Sequence, residues 1–81
     1  IDVTEKFVHK GIEEVKEKLA DIGIKSSTMH LVIKYVIEAV EKFPTTGSAR
    51  KDLALRIIKD LVGELPDSRE KEFILETLNN S

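Results

Sequence analysis

The sequence predicts an all-α fold: one small domain of four helices, at about 3–22, 27–43, 48–64 and 68–78, with the second central. Three observations predict it. Apolar residues recur at helical spacing in four separate segments, no segment alternates at period two, and Gly, Pro and Ser/Thr stand where helices stop and start. At 81 residues the chain is a single domain, 1–81, near the lower limit for a core without covalent staples.

In the first helix Ile1, Val8, Val15 and Ile22 recur every seven residues, with Ile12 and Leu19 at the alternate spacing and Phe7 beside them. The stripe is narrower than a core helix normally shows, so this helix (residues 1–23) either packs on its own domain or docks in a partner's groove, as a swapped helix would. Gly11 costs roughly 1 kcal/mol against Ala inside a helix, which implies either a close approach by another backbone or a helix that is weaker before it. Gly23 followed by Ile24 is a helix stop.

Ser26, Ser27 and Thr28 offer N-caps for the second helix, which is apolar almost all the way round. Met29, Val32, Ile33, Val36, Ile37, Val40 and Phe43 form its main face, Leu31, Tyr35 and Ala39 widen it, and His30, Lys34, Glu38 and Lys42 make a narrow polar stripe. Such a helix needs cover on several sides. Pro44 ends it, and Pro44-Thr45-Thr46-Gly47 is a loop.

The third helix buries Leu53, Ala54, Ile57, Ile58, Leu61 and Leu65, and Asp52, Arg56 and Asp60 form a ladder at i,i+4. Leu65-Pro66 ends it. Asp67 and Glu70 have the spacing of a capping box opening the fourth helix, whose apolar residues are Phe73, Ile74, Leu75 and Leu78.

Composition narrows the function classes. There is no cysteine, so disulfides and thiolate metal sites are excluded. The net charge of −2, with both signs interspersed, argues against a dedicated nucleic-acid binder. No apolar run approaches the length that spans a bilayer, and no secretory leader precedes Asp2, Glu5 and Lys6, so the chain is not evidently secreted. It opens at Ile1 rather than Met, as a processed product or an excised segment would.

Candidate chemistry is sparse. His9 and Glu13 share a face at i,i+4, a permissible two-ligand metal spacing, but no third ligand joins them and His30 lies in another segment; no metal site and no cofactor is read from the sequence. Glu13, Glu14, Glu17, Glu70, Glu72 and Glu76 sit on solvated faces, where general acid–base catalysis finds no pocket to shift a pKa, so no catalytic residue is assigned. Arg50, Lys51, Arg56 and Lys59 give helix three a basic side, interrupted by Asp52 and Asp60. The residues read as partner-binding are Val8, Ile12, Val15 and Leu19 on helix one, with Leu31 and Tyr35 on the flank of helix two.

From Ser27 onward the order of signals resembles a family of small helical proteins of large DNA viruses of algae and protists, phycodnavirus- and mimivirus-like. The residues that carry the resemblance are Val36, Ile37, Glu38, Ala39, Val40 and Glu41; Gly47; Lys51, Asp52, Leu53 and Ala54; and Pro66, Asp67, Ser68, Lys71 and Glu72. Some phage holin-like proteins show a comparable A-V-E … G … K-x-x-A pattern. The family resemblance implies no catalytic residues. It implies a non-enzymatic structural or interaction protein, a virion or minor capsid-associated component working by helix packing, with itself or other virion proteins as partners and the virion or host cytoplasm as its place. The alternatives are a nucleic-acid-associated regulatory module using Arg50, Lys51, Arg56 and Lys59, and an adaptor domain of a cellular protein.

Overall fold

A glycine in the left-handed region turns the chain out of its first helix. Gly23 has φ 81°, and its N–H donates to the Leu19 carbonyl at 2.8 Å, an αL closure that an L side chain would strain. The regular helix α1 spans Val3–Lys18, four residues short of the sequence expectation, because the chain from Leu19 to Ile22 is already the turn that leads into this closure. The structure is a computed structural model and describes residues 3–45 and 47–80; Ile1 of the heptad stripe and Thr46 of the loop lie outside them.

Ser26–Thr28 form a single 3-10 turn rather than a simple cap. Thr28 Oγ1 accepts from the Lys25 N–H at 2.9 Å and donates to the Gly23 carbonyl at 2.9 Å, locking the corner between helices. Then α2 runs Met29–Glu41, α3 Gly47–Gly63 and α4 Arg69–Asn79, with no strand among the described residues. The sequence-predicted four-helix domain is therefore the observed one. Its radius of gyration, 12.2 Å, matches the roughly 12 Å expected of a compact chain of this length.

Ion pairs show the directions. Glu14 lies 3.8 Å from Lys42 and Lys18 3.3 Å from Glu38, so α1 and α2 are antiparallel. Glu5 meets Arg56 at 2.8 Å and Lys16 meets Glu64 at 2.5 Å, so α1 and α3 point the same way. All are exposed, and such pairs are worth only about 0.2–1 kcal/mol each. The core decides stability: Val8, Val15 and Leu19 of α1 meet Val32, Val36, Ala39 and Val40 of α2 and Leu53, Ile57, Ile58, Leu61 and Val62 of α3.

The centre is not helix two alone. α3 packs against α1, α2 and α4, whereas α2 packs substantially against α1 and α3 and at most marginally against α4. The reason lies at Gly11, which is buried where α1 crosses α3. A Cβ there would overlap Ile57 Cδ1 and stand 3.3 Å from its Cγ1 and 3.7 Å from the Phe43 ring. Of the two readings of Gly11, the close approach is the one observed, to a side chain rather than a backbone. Beside this notch the Phe7 and Phe43 rings stack with centroids 5.0 Å apart.

The last helix is tied down from below. Ser68, extended at φ −165° and ψ 166°, accepts the Lys71 N–H at 3.1 Å and is the N-cap, one residue later than the Asp67–Glu70 box anticipated. Asp67 instead receives Lys71 Nζ at 3.2 Å, and the Glu70 carboxylate accepts from the Ser26 N–H across the corner to α2. Lys71 Nζ also donates to the carbonyls of Gly63, 3.1 Å, and Leu65, 2.9 Å. All three ammonium donors are used, two of them on carbonyls at the end of α3 that have no intrahelical partner.

Two stability outcomes are expected in urea denaturation. Gly11→Ala gains about 1 kcal/mol of helix propensity but crowds a fully buried side chain, which costs about 1–3 kcal/mol, so a net loss near 1 kcal/mol is expected. Ile57→Val deletes the obstructing methyl, so the double variant should lose less than the sum of the single losses by at least about 0.5 kcal/mol; strict additivity would show that the two sites do not touch. Lys71→Met should cost about 0.5–1.5 kcal/mol by removing the bonds to the Gly63 and Leu65 carbonyls, whereas Asp67→Ala, at a fully exposed carboxylate, should stay within about 0.5 kcal/mol.

Candidate docking groove

Half of the sequence-read partner residues are spent inside the chain. Val8, Val15 and Leu19 are 2%, 0% and 3% exposed, so α1 packs in cis and these three present no surface to a partner in this fold. Ile12, Leu31 and Tyr35 are half-buried against the same core. The Leu31–Tyr35 flank, expected to be open, is half-covered, and at Tyr35 the end of α1 contributes: Lys18 Nζ lies 5.4 Å from the ring centre while reaching Glu38.

The open side of α2 is the one the sequence assigned to the core. Ile33 is 40% and Ile37 47% exposed, and on α4 Phe73 is 65% exposed. These are the exposed large hydrophobics among the described residues. They are not scattered. α2 and α4 both lie on α3 but stand apart from one another, and the gap is a groove floored by Ala54, Leu55 and Ile58. Its larger part, about 540 Å³, is walled by Ile33, Ile37 and Val40 on one side and Thr77 and Leu78 on the other. A smaller part of about 200 Å³ continues between Met29, Ile33, Phe73 and Ile74. The shared walls Ile33, Thr77 and Leu78 make the two one surface feature.

One signal could have exposed this. Phe73, Ile74 and Leu75 are consecutive, and at 100° per residue they span more of α4 than a single neighbour covers. Only Ile74 is buried.

Chemistry elsewhere is thin. His9 Nε2 meets Glu13 at 3.1 Å on an exposed face, His30 is exposed on another helix, and no group of three or more potential ligands occurs among the described residues. No ionisable residue among them is fully buried. Of the basic set on α3, Arg56 is occupied: the hydrogen bond to Glu5, then the charge of Asp60, hold its guanidinium above its ordinary pKa. Arg50 donates to the Thr45 carbonyl at 2.8 Å, and Lys51 is exposed. No described helix is long and apolar enough to cross a membrane. Comparison with protein-family models, with curated proteins and with solved structures returns no match.

The groove side chains should matter little to the fold. Ile37→Ser and Phe73→Ser are expected to shift stability by no more than about 0.5–1 kcal/mol, against about 2–5 kcal/mol for Leu61→Ala in the core. Thermal melts and urea titrations check this; a core-sized loss at Phe73 would mean that its ring is packed.

Proposed function

We propose that this chain is a non-enzymatic interaction domain that docks a partner protein in the groove between α2 and α4. One observation carries the proposal: three large apolar side chains, Ile33, Ile37 and Phe73, are left in water around one continuous concavity. Single exposed hydrophobics are ordinary on a soluble surface, but a contiguous set lining a groove marks an interaction site.

The finer reading, a virion or minor capsid-associated component, is supported by the sequence resemblance over residues 27–81 and places the partner among virion proteins. The nucleic-acid alternative is weakened by Arg56, whose charge is already met by Glu5 and Asp60.

A photo-crosslinking side chain at position 73 tests the groove in the source cell. It should trap one recurrent protein, the same side chain at Lys10 on exposed α1 should not, and Ile37→Ser should abolish the adduct. Equal trapping at both positions would remove the proposal. Mass analysis of purified virions should find the chain at stoichiometric abundance if the finer reading holds, and its absence there would end that reading. In titrations with DNA and RNA at two salt concentrations, tight binding with a steep salt slope would restore the nucleic-acid alternative.

A further inference from the structure

The groove is asymmetric in charge. Among the described residues Arg50 and Lys51, at the start of α3, are the only charged side chains lining its larger part, and no carboxylate lines either part. Neither cation forms an ion pair among the described residues. Arg50 uses Nη2 on the Thr45 carbonyl, while its Nε is buried without a hydrogen-bond partner. The first turn of α3 holds no acidic residue to offset them. The opposite end, at Met29 and Phe73, is uncharged.

Resting on the docking reading above, we infer that the occupant is an amphipathic helix of a partner protein, with an apolar stripe of about three turns that ends in an acidic residue facing Arg50 and Lys51. The length follows from the walls: Met29 to Val40 along α2 is about 16 Å at 1.5 Å per residue, the span of three turns. Helix-in-groove docking uses anchors at i, i+3, i+4 and i+7, and that is the number of side chains such a groove can seat. Charge sets the polarity. A helix presents the negative end of its dipole at its C-terminus, so an acidic residue there adds to the attraction of the cationic end, and the reverse orientation opposes it.

The test uses the full chain and a 14-residue Leu/Ala amphipathic peptide, made with two Glu at its C-terminus, with two Lys there, or with Ser replacing the apolar stripe. Amide shifts and fluorescence anisotropy are read together. The Glu peptide should perturb Ile33, Ile37, Ala54 and Phe73 and bind at least tenfold more tightly than the Lys peptide, and the Ser peptide should not bind. Arg50→Gln with Lys51→Gln should erase the Glu-over-Lys preference, and Lys51→Gln alone, at an exposed site, should halve it or more with an unchanged thermal melt. Equal affinity for the Glu and Lys peptides, with the groove still perturbed, overturns the acidic occupant and leaves the docking reading standing. No perturbation of the groove by any peptide overturns both. Concentration-dependent self-association that Ile37→Ser abolishes overturns the partner helix in favour of a second copy.

Discussion

The structure depends on one steric allowance: the missing Cβ of Gly11. Because α1 carries no side chain there, Ile57 of α3 enters the helix–helix seam fully buried, and the Phe43 ring closes over the same point. Close packing of this kind is sensitive to single methyl groups, since interiors hold almost no spare volume. The allowance has a cost of about 1 kcal/mol in helix propensity, which the dispersion contacts of a buried Ile side chain offset. On the same seam Val8, Val15 and Leu19 lie in the core, and Glu5 and Lys16 are within reach of Arg56 and Glu64.

That placement explains which parts of the fold were legible in sequence. Helix existence was legible because each segment carries its period and its punctuation: Gly23 at positive φ and Pro44 at a helix end stand where local chemistry puts them. The cap of α4 was misplaced by one residue because Asp67 and Ser68 are both good N-cap types, and the choice was made by Lys71, whose ammonium drew the Asp67 carboxylate away. Local propensity cannot rank two equivalent caps when a tertiary contact competes for one of them.

The sequence placed the open flank of α2 at Leu31 and Tyr35, whereas the more exposed flank is at Ile33 and Ile37, for a related reason. A helix apolar nearly all round gives no phase to say which flank is left over. The flank is assigned by its neighbours. Lys18 at the end of α1 lies across Tyr35, so Leu31 and Tyr35 are half-covered, and the remaining flank at Ile33 and Ile37 faces α4. Whether α4 reaches it is a matter of tethering rather than hydrophobicity. Lys71 binds α4 to the end of α3, and Glu70 reaches only the Ser26 N–H at the start of α2, so the helix lies along α3 and stands off from the middle of α2.

The exposure of that groove is hard to account for by stability alone. Fully burying a large aliphatic or aromatic side chain is worth about 1.5–3 kcal/mol, and net stability in domains of this size rarely exceeds a few kcal/mol. Ile33, Ile37 and Phe73 stay exposed all the same, while the Lys71 bonds to the Gly63 and Leu65 carbonyls tie the start of α4 to the end of α3. Arg50 and Lys51, without an ion pair among the described residues, stand at one end of that apolar surface and give it a direction.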